Sequence, residues 1–412
     1  MGTVDLSVYR KDFPMLDGKT MNGHPLVYFD NAATTLKPRK VIDTVLKYYE
    51  EETTNVERGD SALSALVSAK YENVRKIIAK FIGCDPEEVV YTSGATGALN
   101  LLAEGYGMKF LSEGNVILTT EEEHASNLLP WFRVCERTGA KMRYIPLTEE
   151  GRVTEENVRS SMDEHVKIVT LAGVSNVLGY EAPLKGIADI AHEYGAVFAV
   201  DGAQAVPHFE LNMKEMGIDF LSFSSHKMCG PSGAGVLYGR KELLEKMDPA
   251  NLGGGSNARF DRYGKIILRE VPDKFEAGTQ PIEGILGMGA AAEYLMEIGM
   301  DKIHAYEKEL RDYLVKRMEE LPNVKVYNPD AETGIVTFNV EGVFPQDAGS
   351  YLSSRGIALR SGQHCAKILP DFLKVPGTVR ASLYFYNTKE ECDTLIEALK
   401  TCTVENAVDI FI

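Results

Sequence analysis

The chain has no uninterrupted apolar run near the roughly 20 residues that cross a bilayer. No membrane span is therefore predicted. Met1-Gly2-Thr3-Val4-Asp5-Leu6 has no cationic stretch and no apolar core, so no signal peptide is expected. Its sixth position also lacks the Ser or Thr of a myristoylation signal. Basic residues are scarce beside acidic ones, 44 Lys and Arg against 60 Asp and Glu. The resulting net charge of -16 argues against nucleic acid or an anionic membrane as the main partner, without forbidding a local basic pocket. The six cysteines, Cys84, Cys135, Cys229, Cys365, Cys392 and Cys402, include no CxxC pair. A zinc or iron–sulfur site is not expected, and the thiols read as dispersed and reduced. Internal repeats and low-complexity tracts are absent. The expected compartment is the cytoplasm.

What is present is the alternation of an α/β chain. The 412 residues exceed one compact core and predict two domains. After Val27-Tyr28-Phe29, helical periodicity covers 39–52 and 65–82. Apolar β-type runs then alternate with helical segments at 88–92, 116–119, 142–145, 168–171, 196–200, 219–223 and 235–238. Near-continuous Val, Ile and Leu in those runs predict a mostly parallel sheet covered on both faces. Gly253-Gly254-Gly255-Ser256 reads as a loop. Ile303, Tyr306, Leu310, Leu314, Met318 and Leu321 recur at helical spacing. Short strands such as Ile335–Val340 and a closing helix near 388–402 then give an α+β pattern. The expected division is 1–25 as an N-terminal segment packing with the small domain, 26–292 as the large domain and 293–412 as the small one.

The chemistry sits at predicted strand ends, where open α/β sheets bind ligands. One run delivers Asp201, in Asp201-Gly202-Ala203-Gln204. The next delivers Ser224-Ser225-His226-Lys227. Each residue alone is an ordinary cap or surface charge. Together, a lysine that bonds an aldehyde and a carboxylate that holds a ring nitrogen protonated serve a pyridine cofactor. Ser224 and His226 are placed to donate to its phosphate. Thr92-Ser93-Gly94-Ala95-Thr96-Gly97 follows a strand and opens a helix, an anion site that matches neither the Walker loop nor the GxGxxG fingerprint. His124 follows another strand and is placed to stack on the ring and move protons. Asn176 is placed to donate to the ring hydroxyl. In the second domain, Cys365 stands beside His364 in a glycine-bearing loop, where a thiol can be mobile and partly ionised. Arg380 is suited to a bidentate grip on a carboxylate.

With these motifs in hand, the chain resembles the cysteine desulfurases and selenocysteine lyases of the class V aminotransferase group, closest to the SUF-type branch. Asp30-Asn31-Ala32-Ala33-Thr34-Thr35, Glu123-His124-Ala125-Ser126-Asn127, Asp201-Gly202-Ala203-Gln204, Ser224-Ser225-His226-Lys227, Glu276-Ala277-Gly278-Thr279, Arg360-Ser361-Gly362-Gln363-His364-Cys365-Ala366 and Arg380-Ala381-Ser382 carry the resemblance in family order. It implies an α/β, fold-type I pyridoxal-phosphate transferase, with a large domain of mostly parallel sheet and a smaller α+β domain. The implied cofactor is pyridoxal 5′-phosphate, held by Ala95, Thr96, His124, Asn176, Asp201, Gln204, Ser224, His226 and Lys227. Gly278 and Thr279 would reach the phosphate bound to the other subunit of a homodimer. Lys227, Cys365 and His124 would be catalytic. Arg380, Arg360 and Asn176 would bind the substrate. The implied reaction takes L-cysteine to alanine with the sulfur left as a persulfide on Cys365. An acceptor protein of a SUF-type system would then take it for iron–sulfur cluster assembly. No metal is expected.

Selenocysteine lysis is the alternative substrate reading. A transaminase or carbon–carbon lyase of the same fold is a further alternative, but it needs no thiol. Glu57 and Ser61 stand where relatives often have histidines, Ala95 where they often have threonine, and Gln363 where a histidine is common.

Overall fold

Strands made almost wholly of Val, Ile, Leu and Phe must be buried on both faces. The computed structural model describes residues 5–56 and 59–409. Its large sheet has seven strands: β1 Val89–Thr92, β2 Val116–Thr119, β3 Lys141–Tyr144, β4 Val166–Ala172, β5 Val197–Asp201, β6 Phe220–Ser224 and β7 Gly235–Gly239. The spatial order is β1-β7-β6-β5-β4-β2-β3. Neighbours run parallel except β7, which is antiparallel to both β1 and β6. The central strands β6 and β7 are buried throughout. The edge strand β3 carries Lys141 and Arg143 and is partly exposed, which blunts pairing with other chains.

Helices Arg39–Glu51 and Ala62–Ile82 both pack on helix Ile282–Ile298. Ser61 starts the second of these, its side chain accepting from Ser64 N. Gly83 ends it at φ +67, where a Cβ would also meet Asn212 at 2.7 Å. Helix Ile282–Ile298 is buried on nearly all sides. That explains why it shows no amphipathic period in the sequence. It runs through residue 293, where the sequence division was expected. The helical break falls at Gly299, φ +100, before helix Met300–Glu319.

The C-terminal unit is built on a four-stranded antiparallel sheet. Its order is Val324–Val326, Ile335–Val340, Thr378–Ser382 and Arg360–Gly362. Val27–Tyr28 pairs in parallel with Ile357–Ala358. Its hydrogen bonds thus place it with the C-terminal unit, although the sequence groups it with 26–292. The N-terminal turns also lie against this unit. Phe13 sits 4.3 Å from the Tyr386 ring, and Arg10 pairs with Glu391 at 2.7 Å. After the glycine loop the structure has a hairpin, Asn257–Phe260 with Ile266–Leu268, that the sequence reading lacked. Asp261 Oδ1 holds its turn by accepting from Tyr263 N and Lys265 N.

Candidate active site

Parallel strands bring their carboxyl ends to one edge of the sheet. β5 ends at Asp201, and β6 ends at Ser224 with one turn, Ser225–Lys227, beyond it. The loops after β2 and β4 bring His124 and Asn176. β1 leads through Gly94 into helix Ala95–Leu102. From the C-terminal unit come Arg360, Cys365 and Arg380. All of these, with Thr96, Gln204 and His226, line one cavity of about 230 Å³. Residues up to 348 positions apart in the chain, from Ala32 to Arg380, therefore share one site.

Burial pushes the Lys227 ammonium down to about 8, against the pull of Asp201 and with the help of Arg380 and Arg360. An amine in that range is a usable nucleophile near neutral pH. Asp201 is buried, and its Oδ1 accepts from Ala203 N at 3.0 Å. Gln204 Nε2 donates to the Ala32 carbonyl at 2.6 Å, while its Oε1 is buried without a partner. His124 Nδ1 accepts from Ser126 N at 3.1 Å, which puts the proton of the neutral ring on Nε2. Burial, then Lys227, holds His124 below the ordinary imidazole range.

Beside His124 in the chain the structure buries two carboxyls, Glu122 and Glu123, that carry no role in the sequence analysis. Burial, then its neighbour's charge, pushes Glu122 up to about 8. Burial pushes Glu123 up to about 7, against three donors: Asn127 Nδ2 at 2.7 Å, Thr120 Oγ1 at 2.7 Å and Ala172 N at 3.0 Å. Glu123 thereby ties the end of β4 to the His124 loop.

The first-turn amides of a helix have no partner within the helix, which makes that end attractive to anions. Here Ser224 Oγ accepts from Ala95 N at 2.7 Å. Ala95 accordingly offers the cavity a methyl wall rather than a donor, because its one N–H is used. Thr96 Oγ1 and Ser126 Oγ lie 2.8 Å apart beside it. Ser126 lines the cavity too, and the sequence reading assigned it nothing. Burial, then Lys227 and Lys37, pushes His226 down to about 4, so the ring is a neutral donor near pH 7.

On the opposite wall, buried Arg380 donates through Nη1 to the Asn176 carbonyl at 2.6 Å and through Nη2 to Asp30 at 3.3 Å. Its Nε is buried without a partner. Burial pushes it down to about 10, with Asp30 opposing and Arg360 adding to the fall. Arg360 stands directly opposite Arg380 in the sheet register. Like charges placed so destabilise a sheet unless an anion lies between them. Asp30, 3.3 Å from Arg380 and drawn to Arg360 as well, is the carboxylate of this chain that answers them.

His364 and Cys365 both hold positive φ, +52 and +61. Such backbone is uncommon outside glycine and accumulates at functional loops. The His364 carbonyl accepts from Asn176 Nδ2 at 2.8 Å, and the Cys365 carbonyl from Ala125 N at 2.8 Å. The Asn176 amide is thus committed in part to this loop. Cys365 is exposed. The sequence expectation that the neighbouring histidine helps ionise the thiol is corrected here. His364 is buried against Thr378, Nε2 to Oγ1 at 2.9 Å, and burial pushes it down to about 3. It stays neutral and brings Cys365 no positive charge.

Gly278 and Thr279 do not line this cavity. Gly278 borders a smaller one with Tyr71 and Glu276, and Thr279 Oγ1 accepts from Asn55 at 3.5 Å. Both are exposed. Glu276 anchors their loop by accepting from Arg75 Nη1 at 2.9 Å, Arg75 Nη2 at 3.0 Å and Tyr91 N at 2.8 Å. Glu57 lies outside the described residues, Ser61 is a helix cap, and Gln363 is exposed.

The donor set fits pyridoxal 5′-phosphate. A helix end, hydroxyls and a neutral imidazole suited to an anion line the same cavity as Lys227, Asp201 and two arginines. Gln204 Oε1 and Arg380 Nε, on two of the cavity-lining residues, are buried without a partner. Among the described residues no cluster of His, Cys, Asp and Glu is placed to hold a metal ion.

Comparison with known proteins agrees with this chemistry. The family model for aminotransferase class-V matches residues 27–395. A probable cysteine desulfurase of Halalkalibacterium halodurans is 46% identical over 392 residues, 95% of this chain and 96% of the relative. One from Staphylococcus aureus strain Mu50 is 43% identical over 399 residues, 96% of each. Among solved structures, the apo cysteine desulfurase of Thermococcus onnurineus NA1 superposes with TM-score 0.91 at 37% identity, covering 97% of this chain and 98% of that one. The cysteine desulfurase CsdA of Escherichia coli, in an S-sulfonic acid form, gives 0.90 at 33% identity, covering 99% and 100%.

Proposed function

The chain belongs to the class-V aminotransferase family, and from that premise we infer that it is a pyridoxal-phosphate-dependent cysteine desulfurase. One observation carries the reading for this chain: a single cavity brings Lys227 and Asp201 from the large sheet to Cys365 and Arg380 from the C-terminal unit. A transaminase needs the first pair but has no use for an exposed thiol facing it.

When bound, the cofactor supplies an aldehyde that captures amines and a protonated ring that takes up the electron pair left when a Cα proton departs. Lys227 would hold it covalently and then move the proton at the substrate Cα. Asp201 would keep the ring nitrogen protonated. Thr96, Ser224 and His226 would hold the phosphate, with Ala95 as wall. Gln204 and Asn176 would meet the ring hydroxyl, and His124 the ring face. Arg380 and Arg360 would take the substrate carboxylate between them. The Cys365 thiolate attacks the substrate sulfur. The carbon–sulfur bond breaks, a sulfur–sulfur bond forms, and the substrate carbon takes up a proton. Cysteine and the thiol of Cys365 become alanine and a Cys365 persulfide, with no external oxidant.

Further parts of the reading go beyond the family assignment. The chain would act as a homodimer, with Gly278 and Thr279 on the partner's cofactor. A SUF-type acceptor protein would receive the sulfur for iron–sulfur cluster assembly, in the cytoplasm. No helix among the described residues is long and apolar enough to cross a membrane. The small domain would begin at the Gly299 break. Selenocysteine would be an accepted substrate, because the same carboxylate and amine contacts serve it.

The test is equimolar formation of alanine and sulfide from L-cysteine with a reducing thiol present. Pyruvate or keto-acid formation without sulfide would replace the desulfurase by a transaminase. Absence of any visible cofactor band would make the chain a non-catalytic subunit.

A further inference from the structure

The carbonyl oxygen of His226 closes the peptide bond that leads into Lys227. It accepts from four donors: Thr34 Oγ1 at 3.0 Å, Thr35 N at 3.1 Å, Thr35 Oγ1 at 3.1 Å and Lys37 Nζ at 3.0 Å. A carbonyl has two lone pairs, so four donors share them, and Lys37 is the only charged one, making its bond the strongest of the four. Its ammonium has three protons, and the structure directs them to the His226 carbonyl, to Thr34 Oγ1 at 3.2 Å and to the Thr35 carbonyl. No carboxylate pairs with it among the described residues, and burial pushes it down to about 8. A half-buried lysine without a counter-ion is costly to keep. It calls for a use.

The same segment also grips the chain beyond Lys227, since Thr35 Oγ1 accepts from Cys229 N at 2.8 Å. Segment 34–37 is in turn fixed from the C-terminal unit. Leu36 N donates to Tyr386 Oη at 2.9 Å, and Ala32 N to Ser382 Oγ at 2.9 Å. Lys37 does not line the cavity. It acts on the site only through backbone.

We propose that Lys37 is a positioning residue for Lys227: its ammonium locks the His226 carbonyl and so fixes the backbone from which Lys227 reaches the cofactor aldehyde. The proposal rests on the reading of Lys227 as the residue that bonds the cofactor. In that bond the amine nitrogen adds to the aldehyde carbon and the oxygen leaves as water, with no change of oxidation state. Positioning sets the rate of this step without altering how well the phosphate and ring bind.

The experiment uses the full chain freed of cofactor. Covalent attachment of pyridoxal 5′-phosphate is followed by timed borohydride trapping and peptide mass spectrometry. Binding of pyridoxamine 5′-phosphate, which has no aldehyde, is measured in parallel. Lys37→Met should keep pyridoxamine phosphate affinity within about two-fold and attach pyridoxal phosphate to Lys227 about ten-fold more slowly or worse, since small misplacements of a reacting group carry penalties of that order. Lys37→Arg, which keeps a charged donor, should recover part of the rate. Exposed Arg39→Met should leave both readouts at wild-type values. Attachment by Lys37→Met at the wild-type rate would overturn the proposal. So would an equal loss of both ligands, which would make Lys37 a general support of the cavity. If Lys37→Met does not fold, Thr34→Val, which removes another donor to the same carbonyl, is judged by the same two readouts. Attachment of the wild type elsewhere than Lys227 would instead sink the cofactor reading itself, and it would show before any variant is made.

Discussion

The side-chain amide of Asn176, in the loop after a strand of the large sheet, donates to the main-chain carbonyl of His364 at 2.8 Å. Ala125 N donates to the next carbonyl, that of Cys365, at the same distance. These two bonds dock the nucleophile loop onto the cofactor side of the cavity. Asn176→Ala removes one of them, worth about 1 kcal/mol or roughly five-fold in local opening. Amide exchange over 362–366 should accelerate by about that factor. Unchanged exchange would mean that the loop is held by other contacts.

Arg360 and Arg380 face each other across two strands, and the account puts a substrate carboxylate between them. Arg380→Ala should raise KM for cysteine about ten- to hundred-fold while the cofactor stays bound, the loss expected for charge-assisted hydrogen bonds. Arg360→Ala should also raise KM, yet it should not lower Tm, because it relieves a like-charge pair. A fall in Tm with KM unchanged would make Arg360 structural.

Burial lowers the Lys227 pKa to about 8 in the folded chain, from an ordinary lysine near 10.4. The reactive amine fraction therefore rises with pH and saturates above about 8. Attachment of pyridoxal 5′-phosphate to cofactor-free protein should follow that curve by stopped-flow absorbance. Asp201→Asn removes a charge that favours the ammonium, so its midpoint should move to lower pH. A rate still climbing at pH 10 would place Lys227 in a wetter environment than the structure shows.

The strand-end logic was legible in the sequence because buried parallel strands announce themselves as apolar runs, and the residue after each run is the one that faces the ligand. Asp201, Ser224, Lys227 and His124 were found in that way. Helix Ile282–Ile298 was not, since burial on all sides erases the periodic signal. The hairpin at Asn257–Leu268 was hidden because its exposed strands lack apolar alternation. Ser126 stood in a quoted motif but carries its meaning only through Thr96 and His124, which lie in space and not at a fixed spacing. The neutrality of His364 was invisible for a related reason. Sequence shows a histidine next to a cysteine, while the fold turns the ring toward Thr378. The roles proposed for Gly278 and Thr279 involve a second copy of the chain.

The central claim is that Cys365 takes the sulfur while Lys227 and Asp201 serve the cofactor. Brief exposure of the holoenzyme to L-cysteine, followed by peptide mass spectrometry, tests it most directly. One added sulfur, about 32 Da, should appear on the peptide containing Cys365. Cys365→Ala should keep the visible cofactor band, gain no such mass and release little sulfide. Appearance of the added sulfur on Cys84, Cys135, Cys229, Cys392 or Cys402, or full turnover by Cys365→Ala, would contradict it.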